Sequence, residues 1–403
     1  MNVSKKFGCF FLCFCCLFFT GCWDSNEINE IAIVSAVALD KSDDGQLSMS
    51  LLISNPGKLS GSGAGASSAQ EPNSNQATIL LSDKGEGILD IYHNIQSKLP
   101  KQIYFSHLRV IVISEELARD GIADVVDFFT RFRESHLRTE VVFTKGKAVD
   151  LFKIDTDYEK FPSESIRKKT QLVVGTKSTL LSFISNIAED GVEASAPEFE
   201  TGPYEIDNHS SDQKKAVVYT GTAVFKNDQL LGFLNDQKMK GVVDLSGKTN
   251  GGTITIHIPE DRGGGFVAMR IPSSKTKITP LLSENGLEAN LTVKIEARIF
   301  ENESRLDLSK PESLSLIEDL AKATLNDEIR SLLEQVTKTY HSDIYGFGAA
   351  FHRKYRTKWE TDYQKQWDTL FSNLKINIYC NVTVKRIGFL TNSLGIQKSE
   401  LVN

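Results

Sequence analysis

The chain has 403 residues, of which 40% are hydrophobic and 24% charged, with a formal net charge of −6. That length allows two or three domains at roughly 150 residues each. The acidic balance argues against a nucleic-acid surface, which needs a basic stripe, and against a body lying flat on anionic lipid.

The amino terminus reads as an export signal. Lys5 and Lys6 precede an apolar run from Phe7 to Phe19, and Thr20 and Gly21 are small residues ahead of Cys22. As a helix the run spans roughly 20 Å, short of the about 30 Å of hydrocarbon that a membrane-spanning helix crosses. Residues 1–21 therefore read as a lipoprotein signal peptide, although Phe19 stands where Leu is usual. Cleavage before Cys22 leaves its thiol to carry a diacylglyceryl thioether and its new amino group to carry an acyl chain, two hydrophobic signals that suffice for stable anchoring. Cys9, Cys13, Cys15 and Cys16 leave with the leader. Cys22 and Cys380 remain, so a lipidated Cys22 permits no intrachain disulfide. The mature body, residues 22–403, is expected to be water-soluble and membrane-held only at its start.

Residues 31–39 and 46–53 predict two strands joined by a turn at Asp43-Asp44-Gly45. Residues 56–76 are rich in Gly, Ser, Ala and Asn and predict a flexible loop without chemistry. Helical spacing of Ile88, Ile91, Tyr92, Ile95 and Leu99 predicts a helix over 85–99, and Arg109–Ile113 a buried strand. A helix from Glu115 is interrupted near Gly121. Thr139–Phe143 returns as a strand, Ala148–Ile154 as a short helix, and 163–188 as helical.

These alternating elements form an expected N-terminal mixed α/β domain over 22–198. Ala194–His209, with Pro197 and Pro203, reads as the linker stretch, and the linker between domains is placed at 199–213. Residues 216–225 and 229–233 predict a hairpin around Asn227-Asp228, opening a middle domain over 214–280.

A C-terminal domain over 281–398 follows, or one unit over 214–398. Leu287–Ile299 alternates apolar and polar at every step, and Leu374–Val384 does the same through Leu374, Ile376, Ile378, Cys380, Val382 and Val384. Such alternation marks a sheet buried on one face. Ser309 to Glu312 has capping-box spacing and opens a helix carrying Leu314, Ile317, Leu320, Leu325, Ile329, Leu332 and Val336. The predicted class is α+β: a multi-domain mixed α/β chain whose C-terminal half is an antiparallel sheet covered by helices.

Candidate chemistry is thin. Gly241 to Gly247-Lys248-Thr249 resembles a phosphate-binding loop, but five residues separate its glycines where four are required. Gly346-Phe347-Gly348 lacks the third glycine of a dinucleotide fingerprint, so both read as turns. The seven histidines are scattered; His341 and His352 with Asp343 are the nearest to a metal cluster, without zinc-type spacing. No Gly-x-Ser-x-Gly elbow occurs. Cys380, on an apolar strand face, reads as a core residue. Phe351, Tyr355, Trp359, Tyr363 and Trp367 recur every fourth residue, which suggests a stacking platform. Four such steps wind about 160° around a helix, so packing into the core with a bend or break is the better reading. No catalytic residue, metal or cofactor is expected.

The sequence resembles the Ger(x)C family of spore germination lipoproteins, the C subunits of nutrient germinant receptors. The similarity lies in Gly21-Cys22-Trp23-Asp24, Glu27-Ile28, the strand closing on Asp40, His107-Leu108-Arg109 with Glu115-Glu116, and Gly221 to Phe225 with Gly232 and Gly241. It is strongest in Asp343-Ile344-Tyr345-Gly346-Phe347-Gly348, followed by His352-Arg353 and Trp359. Relatives often carry Pro near Arg356-Thr357, a local departure. The resemblance implies mixed α/β domains and no catalysis. It also implies a lipid anchor at Cys22 on the outer face of the inner spore membrane, and assembly with a polytopic A-type and a transporter-like B-type subunit. The germinant pocket is usually placed in the B-type partner. A solute-binding lipoprotein of an uptake system is the alternative, and a cell-wall hydrolase a third reading.

Overall fold

The computed structural model describes residues 30–54, 78–154, 161–172, 176–204, 214–235, 245, 248–249, 252–284, 286–388, 390–393 and 401. Cys22, the leader and the loop 56–76 lie outside them.

The first half is built on one sheet. β1 (Ile31–Lys41) and β2 (Leu47–Ser54) form the expected hairpin, with Gly45 at φ 82° in its turn, and β3 (Thr78–Gly85) extends it antiparallel. β4 (Gln102–Tyr104), β5 (Val110–Ser114) and β6 (Glu140–Thr144) add in parallel. All of β5 is buried, as a strand covered on both faces requires. One face is closed by α1 (Ile88–Ser97), α2 (Glu115–Asp120) and α3 (Ala123–Arg131), the last two parted at Gly121, φ 114°, as expected. The other face is closed by the 3-10 turn Ala148–Phe152 and by α4 (Pro162–Leu172).

The helical stretch expected over 163–188 is two helices, α4 and α5 (Leu180–Ala188). Thr179 between them is extended and bridges Glu140, and the Leu180 and Val141 amides donate across to Thr139 and Ser178 carbonyls. Sheet bonding outcompetes helix continuation there, and Thr179 with Ser182 then forms a capping box that restarts the helix.

The linker placed at 199–213 is in fact strand through Tyr204, and 205–213 lie outside the described residues. β7 (Ser195–Tyr204) pairs antiparallel with β8 (Lys214–Lys226), which pairs with β9 (Gln229–Leu234) around Asn227 at φ 55°. β7 tolerates Pro197 and Pro203 because it meets β6 at one register pair, Phe143 with Glu198, and behaves there as an edge. Residues 214–234, placed in a middle domain, thus complete the first sheet, ordered β3-β2-β1-β5-β6-β7-β8-β9 with β4 beside β1.

The second sheet contains β10 (Lys248–Thr249), β11 (Thr253–His257), β12 (Phe266–Ser283), β13 (Gly286–Asn302) and β14 (Lys375–Arg386). β12 pairs antiparallel with β10, β11 and β13, whereas β14 lies parallel to β13. Alternate residues Ala289 to Ile299 are buried against α6 (Pro311–Glu334), which contributes Ile317, Ala321, Leu325 and Ile329. The sheet covered by helices is therefore present, with one parallel pair that hydrophobic alternation does not reveal. The capping box at 309–312 does not form. Pro311 is the first helical residue, Lys310 holds the cap position, and the Ser309 hydroxyl donates back to Asp307.

Beyond α6 the chain makes a π-helical turn at Gln335–Thr339, α7 (Phe347–Lys354) and α8 (Trp367–Ser372). Phe351, Trp359 and Trp367 of the aromatic repeat are buried in the core. The break at Tyr355, φ −127°, and a π-helical turn at Trp359–Tyr363 rewind the stripe so that alternate members face inward.

Candidate functional site

The two halves of the chain meet at a joint built around Asp343. Its carboxylate is buried and accepts the amide N–H groups of Phe347, at 3.0 Å, and Gly348, at 2.7 Å, and the Trp367 Nε1–H at 3.1 Å. Burial raises its pKa to about 6 despite those donors. An acid so placed caps the first turn of α7, whose N-terminal amides have no helical partner.

The first-sheet side of the joint is the turn after α5. The Glu193 amide donates to the Asp343 carbonyl at 2.9 Å, and the Ala349 amide to the Gly191 carbonyl at 2.8 Å. Gly191, at φ +80°, lies against Gly348 so closely that a Cβ on either residue would collide with the other's backbone. The Ser342 hydroxyl donates to the Phe225 carbonyl at 2.5 Å, and the Tyr340 hydroxyl to the Phe233 carbonyl at 2.8 Å. Lys226 pairs with Glu193 at 2.8 Å and with Asp368 across the joint.

Two other buried acids sit on first-sheet strands, Asp40 near the end of β1 and Glu198 within β7. Asp40 accepts the amides of Ala148 and Val149 at 2.6 and 3.1 Å, fixing the 3-10 turn. Glu198 lies 2.7 Å from Lys145 Nζ, which also reaches Glu200 at 3.2 Å, and its pKa is raised chiefly by burial. Lys145 sits 5.1 Å from the centroid of the Phe233 ring, under the strand that holds Tyr340. Each acid is turned toward backbone amides or a lysine, an arrangement that locks segments together.

The histidines do not assemble with Asp343. The His341 ring bonds the Ser372 hydroxyl at 2.7 Å, and His352 stacks on Trp359 at 5.5 Å between centroids. Among the described residues no three His, Cys, Asp or Glu side chains gather as a metal-binding group. Most of the phosphate-loop-like segment 241–249 lies outside the described residues, and Lys248 and Thr249 form β10. Gly346, at φ 74°, is the turn ahead of α7 as expected. Cys380 is a free, buried core thiol, and burial pushes its pKa up to about 11. Sequence reasoning missed Gly191, Glu193 and Tyr340, which sit in no motif; the Asp190-Gly191 turn signal was the one available clue.

No helix among the described residues is long and apolar enough to cross a membrane. A relative, the putative spore germination protein YfkR of Bacillus subtilis (strain 168), is 26% identical over 94% of this chain and 96% of its own. Spore germination protein KC of the same organism is 27% identical, covering 93% and 94%. The crystal structure of the GerBC protein superposes with a TM-score of 0.50 at 18% identity over 87% of this chain and 96% of that one, a likeness of fold. The spore germination protein N-terminal domain family matches residues 24–201, and the spore germination B3/GerAC-like C-terminal family matches residues 220–388. The chain belongs to this spore germination family, whose two domains together span nearly all of it.

Proposed function

We propose that this protein is a non-catalytic subunit of a spore nutrient germinant receptor. It is held by a lipid on Cys22 at the outer face of the inner spore membrane and works beside an A-type and a transporter-like B-type membrane subunit. The carrying observation is the family match over both halves of the chain. The joint supports the same reading. In the segment 343–348 the Asp343 carboxylate fixes the first turn of α7, while its carbonyl accepts the Glu193 amide from the other half, as a rigid coupling element requires. Two sheets of different strand number and order support a receptor subunit over a two-lobed solute binder.

The test is nutrient germination of spores carrying Cys22→Ala or a deletion of the chain, in a strain lacking paralogues. Loss or slowing of the response to one nutrient class, with germination by non-nutrient triggers intact, is the expected outcome. Normal nutrient germination in both strains refutes the reading. Mass spectrometry of the mature amino terminus checks the acylated Cys22.

A further inference from the structure

The wet face of the second sheet concentrates positive charge that the overall composition hides. Arg270 of β12 is the register partner of Arg298 of β13, and Arg298 is the register partner of Arg386 of β14. The three are exposed and form a row across adjacent strands, spaced about 4.8 Å apart. Lys275 and Lys294 face each other further along the same two strands. None of the three arginines has an ion-pair partner among the described residues, although Glu296 lies one same-face step from Arg298. Like charges directly opposite in a sheet destabilise it modestly, so an anion bound along the row would relieve that repulsion.

Beside the row the surface turns apolar. Phe300, two residues beyond Arg298 on the same face, is 66% exposed, and Leu390 is 56% exposed. Arg298, Arg386, Phe300 and Leu390 line one open pocket of about 860 Å³, with Asn302 and Asn392 as further polar groups. Guanidinium groups bind phosphate oxygens through paired N–H donors, and an aromatic ring beside them suits the boundary between headgroups and acyl chains. The nine residues from Cys22 to Glu30 reach at most roughly 30 Å, which keeps an anchored body close to its bilayer.

We infer that the row Arg270–Arg298–Arg386, with Phe300 and Leu390 beside it, is a contact surface for the anionic phospholipid headgroups of the membrane that holds the anchor. The inference rests on the anchored-subunit reading above. It gives the body a defined side toward the bilayer, so the lipid on Cys22 sets distance and the second sheet sets orientation. Each arginine near an anionic surface strengthens the contact about fivefold.

The test uses the full chain, purified with its lipid and placed in nanodiscs of phosphatidylcholine with or without phosphatidylglycerol. An environment-sensitive fluorophore on Phe300→Cys reports contact; buried Cys380 stays unlabelled. Phosphatidylglycerol should shift the emission to the blue and cut quenching by aqueous iodide severalfold. A label on Glu288→Cys, at the other end of β13, should not respond. Arg298→Gln with Arg386→Gln should abolish the lipid effect. Equal quenching in both lipids, or an undiminished response in the double variant, overturns the inference. Protection by a glutamate-rich peptide in discs without phosphatidylglycerol, exceeding that by the lipid, overturns it in favour of an acidic protein partner. A chain that leaves the discs in every lipid overturns the anchored reading and this inference with it.

Discussion

Gly348 packs backbone to backbone on Gly191: a Cβ built on Gly348 would stand 2.7 Å from the Gly191 Cα and 2.6 Å from Trp367 Nε1. Neither obstacle can swing aside, since one is main chain and the other is an indole bonded to Asp343. Gly348→Ala is expected to destabilise the protein by about 2 kcal/mol or more, the usual cost of forcing atoms into a packed site. Gly191→Ala adds backbone strain at φ +80°. The double variant should cost less than the two singles together, because one opened gap serves both methyl groups. Urea unfolding midpoints decide the matter; full additivity would count against direct contact.

Asp343 predicts how stability changes with pH. Its folded pKa of about 6 exceeds the ordinary value of 3.8, so the folded chain holds this proton more tightly than the unfolded one. The associated stability is complete below about pH 4 and is lost as pH rises through about 6, roughly 3 kcal/mol in all. Asp343→Asn should flatten that part of the profile. It should also lower stability at pH 5, because its NH2 faces a backbone amide that needs an acceptor, at a cost of about 1–3 kcal/mol. Chemical denaturation of both proteins at pH 5, 6 and 7 tests the sign; a parental profile that rises as steeply as the variant's would refute it.

Tyr340, which closes the π-helical turn after α6, is tied to β9 through one hydrogen bond, and its ring lies 3.0 Å from where a Cβ on Gly232 would sit. Tyr340→Phe should cost about 1 kcal/mol, the net worth of one such bond. Gly232→Ala, which pushes on the ring, should cost more. A thermal melt series ranks the two, and the reverse ranking would show that the ring moves freely.

Cys380 should be chemically silent in the folded protein. It is buried on β14 and its thiol is held protonated, with a pKa near 11. A thiolate is the reacting species, so a disulfide reagent at pH 8 should label it at the rate of unfolding. Rapid labelling without denaturant would place the strand in a looser state.

The sequence revealed elements whose pattern is set locally. β13 and β14 alternate at every step because one face is buried, and the β8–β9 hairpin follows from Asn227-Asp228. β12 went unread although it is 18 residues long. Pro272 and a shift of register between Arg270 and Ser273 break its alternation, and the polar run Ser273 to Lys277 looks like a loop. The joint was visible only as a motif. Asp343 stood out beside two histidines, yet its partners are backbone amides, which no side-chain spacing encodes. The arginine row was hidden for a different reason: its members are far apart in sequence and become neighbours only through strand register.

The parallel placement of β14 has a consequence for biogenesis. Residues 375–386 must pair with 288–298, and α6, α7 and α8 are made in between. In a chain that emerges from its N-terminal end, the second sheet therefore waits, with β13 unpaired along one edge, until residues 375–386 follow. The first sheet suffers no such delay, since its nine strands end at Leu234. The chain is thus expected to mature as a folded front carrying an unfinished rear, and truncation near residue 374 should leave an edge open to aggregation.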